Sequence, residues 1–122
     1  MKVLNVEDTA IKHANIRKVL NQSGITEIDW AKNLADGIAL LQQPKVYDLV
    51  ITDMYYPLES GGSEEEAGKI LISKMKEMQL NIPIIVCSSA RYRIEEILGA
   101  VLYSEKNDWE RQLQELVRSL MA

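Results

Sequence analysis

The sequence predicts an α/β fold of three layers, in which helices cover both faces of a parallel β-sheet. Short continuous apolar runs alternate with segments of helical periodicity five times along the 122 residues. Continuous runs of this kind are typical of strands that are buried on both faces, as in a parallel sheet. No long linker, repeat or low-complexity segment interrupts the alternation, so we expect a single domain over residues 1–122.

The first strand is predicted at Val3–Val6 and is followed by a helix over residues 10–22 that carries an apolar stripe. Gly24 is suited to the left-handed position just past the end of that helix. Residues Ile25–Trp30 alternate between apolar and polar side chains, as a strand does. Asn33 is then a suitable N-cap for a second helix, which a proline ends.

The third strand is predicted at Val46–Thr52. A loop over residues 54–62 follows, because it contains a proline and a Gly-Gly pair that break regular structure. Ser63, with Glu66 three residues later, forms a capping-box pattern. This pattern predicts a third helix that continues to about Met78, with apolar side chains on its buried face.

The fourth strand is predicted at Ile84–Cys87, directly after a proline. Only about two helical turns fit into Arg91–Leu98 before the next glycine, so the fourth helix is predicted to be short. The fifth strand is predicted at Val101–Tyr103. Asn107 and Glu110 form a second capping-box pattern, which predicts the start of a last helix whose apolar residues all lie on one side.

Composition excludes several classes of protein. The chain is 47% apolar and 26% charged, which is typical of globular proteins, and no apolar run is long enough to cross a bilayer. Acidic residues come too early for a secretory signal, so we expect a cytoplasmic location. The net charge of −4, without a basic cluster, argues against direct nucleic-acid binding. We interpret the single cysteine, Cys87, as a buried core residue, and His13 as a surface residue because it lacks a second metal-type ligand one turn away.

Polar side chains follow four of the predicted strands: Glu7 and Asp8, Asp53, Ser88 and Ser89, and Lys106. The carboxyl ends of parallel strands meet at one edge of the sheet, where such folds bind their ligands. Three carboxylates, a hydroxyl and an ammonium group are therefore expected to converge there. This combination predicts a site for a divalent cation and a phosphoryl group.

With these residues the chain resembles a response-regulator receiver domain, the phosphorylation module of two-component signalling. Four segments carry the resemblance: Val6-Glu7-Asp8, Asp48–Met54 with Pro57, Pro83–Ala90, and Gly99-Ala100 with Tyr103 and Lys106. The resemblance implies a flavodoxin-like (βα)5 fold with a five-stranded parallel sheet in the order 2-1-3-4-5.

The resemblance also implies a role for each polar residue at the sheet edge. Asp53 matches the phosphoacceptor aspartate and Asp8 matches a direct Mg²⁺ ligand. Glu7 matches the acidic neighbour that reaches the ion through water, and the backbone carbonyl of Tyr55 matches a further ligand. The plainer alternatives are that Glu7 and Asp8 only favour the N-terminus of the first helix and that Asp53 is a turn residue.

Three further residues match parts of the phosphorylation switch. Ser89 matches the hydroxyl that binds a phosphoryl oxygen; Ser88 is adjacent, but only Ser89 precedes Ala90 as the family pattern requires. Lys106 matches the lysine that pairs with the phosphoryl group. Tyr103 matches the aromatic residue whose rotation accompanies the switch. The alternatives are a turn-forming serine, a solvated lysine and a packed core tyrosine.

The chain departs from the family pattern in three places. The loop after Asp53 is longer and ends near the acidic Glu64-Glu65-Glu66, so it is either a mobile lid or a solvated loop. The fourth helix is short. Asn107 stands where the family usually has a proline, which removes a preset kink beside Lys106.

The resemblance implies an Mg²⁺-dependent switch that takes a phosphoryl group from a histidine kinase or phosphotransfer protein and presents a changed surface to a downstream protein. No turnover of an external substrate is expected. The main alternative is a pseudo-receiver that acts as a phosphorylation-independent interaction module. A small flavodoxin-like or phosphohydrolase enzyme is a third hypothesis, and Tyr55 counts against the phosphohydrolase because it stands where a second aspartate belongs.

Overall fold

The computed structural model describes residues 1–44 and 46–122. Strands and helices alternate as expected from the apolar runs as far as the third strand, after which two short strands are inserted and one expected helix is absent from the described residues. The strands are β1 (Lys2–Val6), β2 (Glu27–Ala31), β3 (Leu49–Thr52), β4 (Tyr56–Pro57), β5 (Glu64–Glu65), β6 (Ile84–Ser88) and β7 (Gly99–Leu102). The helices are α1 (Ala10–Gln22), α2 (Leu34–Leu41), α3 (Ala67–Glu77) and α4 (Trp109–Met121).

Five of the strands form one parallel sheet in the order β2-β1-β3-β6-β7. Numbered among themselves, these are the second, first, third, fourth and fifth parallel strands, so the predicted order 2-1-3-4-5 is confirmed. In the register of β1 with β3, Val6 lies beside Thr52. The residues that follow these two strands therefore start from neighbouring positions at the carboxyl edge of the sheet.

The core consists of two layers, one on each face of the sheet. Successive side chains of a strand point to opposite faces, so Val3 packs on one side of β1 and Leu4 on the other. The first layer joins β1, β3 and β6 to α1 and α4, and the second joins the same strands to α2 and α3. Both faces of the central strands are thus covered, which explains their continuous apolar runs.

The ends of the first two helices are as predicted. The side chain of Asn33 accepts a hydrogen bond of 2.8 Å from the backbone N–H of Asp36, as an N-cap does. Gly24 adopts φ +84° just past the end of α1, in the left-handed region that only glycine enters without strain.

The capping-box prediction for the third helix is wrong. Residues 64–65 form β5 and pair antiparallel with β4, so helical geometry begins only at Ala67. Glu66 is the N-cap residue and makes no side-chain capping bond. The loop after Asp53 therefore contains a small hairpin that the apolar pattern does not signal. Tyr56 holds it to the core: its side chain is buried, and its hydroxyl lies 3.0 Å from Thr52 Oγ1.

The short fourth helix is also absent, since residues 91–98, all within the described part of the chain, form no helix. Glu96 has φ +68°, which interrupts helical geometry, and a helix of two turns gains few hydrogen bonds for the cost of nucleation. The N–H of Leu98 instead donates to the carbonyl of Ile84, which leads the chain directly into β7. The structure thus has four helices among the described residues, one fewer than the predicted five.

The predicted Asn107–Glu110 capping box is wrong by one residue. Asp108 is the N-cap of α4, and its side chain accepts from the N–H of Arg111. Asn107 donates instead to the carbonyl of Leu102, at 2.7 Å, and exchanges hydrogen bonds with the side-chain amide of Gln112. These bonds fix the turn between β7 and α4.

The predicted surface position of His13 is wrong, because the side chain is buried and its ring stacks on Trp30 at a centroid distance of 4.3 Å. Nδ1 lies 2.7 Å from Asn5 Oδ1. The Asn5 amide nitrogen donates to the carbonyl of Ile51, so Oδ1 is the acceptor and His13 Nδ1 carries the proton. Burial lowers the pKa of His13 and favours the neutral ring.

Cys87 is buried in β6, as predicted, and burial raises the pKa of its thiol to about 12. In the described part of the chain, no helix combines the length and apolar character that crossing a membrane requires.

Candidate functional site at the carboxyl edge of the sheet

The acidic residues of the site are placed by the parallel ladder of the sheet. Glu7 and Asp8 directly follow β1, and Asp53 directly follows β3. The N–H of Asp53 donates to the carbonyl of Val6, at 3.1 Å, and the N–H of Glu7 donates to the carbonyl of Ala31, at 2.9 Å. Because the backbone stays paired up to these residues, their side chains emerge from fixed positions.

Glu7, Asp8 and Asp53 come together as a cluster of carboxylates. One oxygen from each residue lies within 4.8 Å of the other two. Ligand oxygens around an octahedral Mg²⁺ stand about 2.0 to 2.1 Å from the metal, so opposite ligands are about 4 Å apart. Small side-chain adjustments would therefore let the three residues share one cation. The structure brings together the acidic residues that the sequence places at separate strand ends.

Glu7 is the most buried member of the cluster, with only 1% of its side chain exposed. Burial raises the pKa of Glu7, because desolvation penalises the charged carboxylate more than the neighbouring ammonium of Lys12 stabilises it. Oε2 accepts from the N–H of Thr9. Oε1 lies 3.0 Å from Lys12 Nζ but, among residues 1–44 and 46–122, finds no partner with hydrogen-bond geometry.

The two carboxylate oxygens of Asp53 have different surroundings. Oδ1 accepts a hydrogen bond of 2.7 Å from the N–H of Met54. Oδ2 lies 3.2 Å from Lys12 Nζ. The backbone therefore holds one oxygen, whereas the other is engaged only by a side chain that can move.

Lys12 is the residue of this site that the sequence analysis missed. It belongs to α1, its side chain is 9% exposed, and its ammonium lies close to Glu7 and Asp53 and donates to the carbonyl of Cys87 at 2.7 Å. Burial lowers the pKa of Lys12, but the two carboxylates outweigh this effect and raise it above its ordinary value. The two carboxylates therefore favour the charged form of Lys12.

One signal in the sequence could have revealed Lys12. It lies four residues before Ile16, so it continues the buried stripe of α1 formed by Ile16, Val19 and Leu20. A lysine on the apolar face of a helix needs a partner for its charge. Glu7 and Asp8, five and four residues earlier in the chain, are possible partners for this charge.

Ser89 and Tyr103 line the same cleft as the three carboxylates and Lys12. The Tyr103 hydroxyl accepts from the side-chain amide of Asn15, and its ring lies 4.8 Å from that of Trp109. Ser88 is buried, does not line this cleft, and its hydroxyl accepts weakly from the N–H of Ala90. Of the two serines, the structure therefore places Ser89 beside the carboxylates.

Lys106 is not brought to the site. It is exposed, does not line the cleft, and forms no ion pair with any carboxylate in the described part of the chain. Its backbone N–H donates to Ser104 Oγ, within a turn that Asn107 anchors. This turn precedes α4, which begins at Trp109.

Tyr55 follows Asp53 by two residues but does not line the cleft. Tyr55 is 42% exposed, and its hydroxyl donates to Glu66. Hydrogen bonds with Tyr92 and Glu66 raise the pKa of Tyr55 to about 12. Glu64, in β5, lines the cleft. For the loop after Asp53, the sequence predicts either a mobile lid or a solvated loop, and neither interpretation includes the pairing of residues 56–57 with 64–65.

Comparison with known proteins identifies relatives of the chain. The family model described as "Response regulator receiver domain" matches residues 3–107. Among curated proteins, the chain is similar to two-component system protein A of Emericella nidulans, with 32% identity over 84 residues. The match covers 68% of this chain and 11% of that protein, so the chain spans only a small part of the length of this relative.

Two solved structures illustrate the similarity of fold. The response regulator protein TrrA from Thermotoga maritima, in complex with Mg²⁺ and BeF, has 26% identity and a TM-score of 0.76, covering 98% of this chain and 99% of that one. RcsB from Salmonella enterica serovar Typhimurium, bound to the promoter rprA in the presence of BeF3⁻, has 22% identity and a TM-score of 0.78. That match covers 99% of this chain and 61% of RcsB.

Proposed function

The chain belongs to the response regulator receiver family of two-component systems, and from this premise we propose that it accepts a phosphoryl group on Asp53 in an Mg²⁺-dependent reaction. The observation that carries the proposal is the convergence of Glu7, Asp8 and Asp53 within 4.8 Å beside a hydroxyl from Ser89. The donor would be the phosphohistidine of a histidine kinase or phosphotransfer protein.

The acidic cluster fits a magnesium ion. Its donors are all carboxylate oxygens, which Mg²⁺ prefers, and one oxygen from each of the three residues lies within 4.8 Å of the other two. Asp8 and Asp53 would hold the ion directly, Glu7 would act through water, and the carbonyl of Tyr55 would complete the protein ligands. The bound ion would neutralise charge between the aspartate and the incoming phosphoryl group.

Asp53 Oδ2 is the proposed nucleophile, because Oδ1 is held by the N–H of Met54. Oδ2 attacks the phosphorus atom, the P–N bond of the phosphohistidine breaks, and its electron pair returns to the imidazole nitrogen. The Ser89 hydroxyl donates to a phosphoryl oxygen. Attack by water on phosphorus later releases inorganic phosphate and restores the Asp53 carboxylate, so the chain acts as a switch with no turnover of an external substrate.

The switch would reach the surface through Tyr103. This residue lines the cleft and also contacts Asn15 on α1 and Trp109 on α4. A shift of Ser89 toward the phosphoryl group would change the space beside Tyr103 and bias its contacts with these two helices. We propose that a downstream protein in the cytoplasm binds this surface differently in the two states, and that the chain itself makes no direct contact with nucleic acid.

A pseudo-receiver that binds partners without phosphorylation is the second candidate function. Two observations favour it, the first being that the ammonium of Lys12 already pairs with Glu7 and Asp53, so the carboxylates are partly neutralised without a metal ion. The exposed position of Lys106 points in the same direction.

Phosphorylation by a small donor separates the two candidates. Incubation with acetyl phosphate and Mg²⁺ is expected to add the mass of one phosphoryl group to the native protein, as measured by intact-mass spectrometry. The Asp53→Asn variant is expected to remain unmodified, because an amide lacks the nucleophilic carboxylate. Chelation of Mg²⁺ by EDTA is also expected to prevent the modification.

A known receiver treated in parallel controls for the activity of the donor. If that receiver gains the phosphoryl mass and the native chain does not, the result favours the pseudo-receiver interpretation. If Asp53→Asn is modified as fully as the native chain, Asp53 is not the phosphoacceptor.

A further inference from the structure

We propose that Lys12, on α1, supplies the ammonium group that pairs with Asp53 and with a phosphoryl group on it, in place of Lys106. This inference rests on the proposed phosphoacceptor function and names a further residue of the same site. It concerns a lysine that reaches the cleft from the first helix, whereas the family resemblance points to one after the last strand.

The ammonium of Lys12 lies among the ends of three strands. Nζ lies 3.0 Å from Glu7, which follows β1, and 3.2 Å from Asp53, which follows β3. It also donates at 2.7 Å to the carbonyl of Cys87, in β6. Residues in or directly after three adjacent strands therefore hold the ammonium in place.

The ammonium of Lys12 is also close enough to Asp53 to contact a phosphoryl group on that residue. The Asp53 oxygen nearest to Nζ is Oδ2, the oxygen that the backbone does not hold. An ammonium has three N–H donors, and here the neighbouring acceptors are Glu7, Cys87 and Asp53. The N–H nearest to Asp53 can turn to an oxygen of a phosphoryl group whose phosphorus is bonded to Oδ2, while the contacts with Glu7 and Cys87 hold the side chain in place.

Lys106 is exposed and does not line the cleft that holds the carboxylates. Its turn is fixed by the bonds of Asn107 to Leu102 and Gln112, and its side chain is in solvent. The Lys106 ammonium forms no ion pair with Asp53 in the described part of the chain, whereas the Lys12 ammonium lies 3.2 Å from Asp53 Oδ2.

The ammonium of Lys12 pairs with two of the three carboxylates and not with Asp8. It contacts Glu7, Asp53 and Cys87 and lies 5.2 Å from the centre of the Tyr103 ring. Asp8 lines the cleft and forms no ion pair with a lysine or arginine in the described part of the chain. A metal ion could therefore bind Asp8 and Asp53. Such an ion and the ammonium of Lys12 would together neutralise the charge of one phosphoryl group.

Two matched variants test the assignment, Lys12→Met and Lys106→Met, each replacing an ammonium by an apolar side chain of similar length. The first readout is the rate of phosphorylation by acetyl phosphate with Mg²⁺. The second is the affinity for beryllium trifluoride with Mg²⁺, followed by tryptophan fluorescence, since Trp30 Nε1 donates to the carbonyl of Glu7. A charge-assisted hydrogen bond is worth roughly tenfold or more, so Lys12→Met is expected to lose about that factor in both readouts, and Lys106→Met less than about twofold.

Folding of the variants is checked by circular dichroism. If Lys12→Met unfolds, the Glu7→Gln/Lys12→Met variant replaces it in the test, because this variant has no buried carboxylate at position 7. The Glu7→Gln variant is then the reference. A loss of tenfold relative to this reference supports the assignment.

The outcomes separate this inference from the function on which it rests. If the native chain is phosphorylated and Lys106→Met alone loses rate and affinity, the assignment to Lys12 is overturned and the phosphoacceptor function stands. If both variants lose rate and affinity to a comparable extent, the claim that Lys12 acts in place of Lys106 is overturned. If the native chain is neither phosphorylated nor binds beryllium trifluoride, the function itself fails, and the inference fails with it.

Discussion

Replacing Gly68 with alanine is expected to destabilise the protein by about 3 kcal/mol, because the added methyl group has no space beside the backbone that carries Asp53. A Cβ atom at this position would lie 2.4 Å from the carbonyl oxygen of Asp53 and 2.7 Å from Cα of Met54. Both neighbours are backbone atoms and cannot rotate away, as a flexible side chain would.

The position of Gly68 explains why it has to be glycine. It is the second residue of α3, and its N–H donates to the carbonyl of Met54 at 3.0 Å, so the helix starts directly against the loop after β3. An alanine would push α3 away from this loop or displace the loop itself. We therefore expect Gly68→Ala to disturb the acidic cluster as well as the stability of the chain.

Gly37 provides the matched control, since it also lies on a helix that faces the sheet. A Cβ atom at Gly37 would meet its nearest neighbour, Val6 Cγ2, at 3.4 Å, which is an ordinary van der Waals contact. Alanine also favours helix over glycine by up to about 1 kcal/mol, so Gly37→Ala is expected to be neutral or slightly stabilising. Urea denaturation of both variants measures the difference, and equal free energies of unfolding would contradict the explanation.

Replacing Lys12 with methionine is expected to cost about 3 kcal/mol of stability. Glu7 is almost completely buried, and Lys12 is the cation that lies next to its Oε1. Without the ammonium, Glu7 must remain charged and unpaired in the interior or take up a proton, and both cost free energy at neutral pH. The nearby carboxylate of Asp53 adds repulsion.

Two further variants isolate this effect. The Glu7→Gln/Lys12→Met variant removes both charges. It is expected to recover most of the lost stability, because no charged group is then left buried without a partner. Lys74→Met breaks the exposed pair of Lys74 with Glu77 and is expected to change stability by less than about 0.5 kcal/mol. Urea denaturation would contradict this account if Lys12→Met were as mild as Lys74→Met.

The fold could be predicted from the sequence because its strands are local features. Each buried strand is a short apolar run, and alternation with helices leads to a parallel sheet whose carboxyl edge gathers whatever follows each strand. Glu7, Asp8 and Asp53 each follow such a strand at once, so their convergence needed no knowledge of side-chain conformation. The family resemblance supplied the strand order and the proposed roles.

The remaining features depend on contacts between distant parts of the chain. The β4–β5 hairpin replaces the predicted start of the third helix because residues 56–57 and 64–65 pair with each other, which local capping patterns cannot show. The position of Lys106 depends on the bonds that Asn107 makes across the turn before α4. Lys12 reaches the cleft because α1 presents it on its buried face, where a lysine is unexpected without its acidic partners.

The most direct test of the proposed site is a crystal structure of the chain with Mg²⁺ and beryllium trifluoride. We predict one beryllium trifluoride group on Asp53 Oδ2, one Mg²⁺ ion in contact with Asp8 and Asp53, and the ammonium of Lys12 hydrogen-bonded to a fluorine atom. A structure obtained at saturating concentrations in which the Asp53 carboxylate carries neither ligand, and still pairs only with Lys12, would contradict the account.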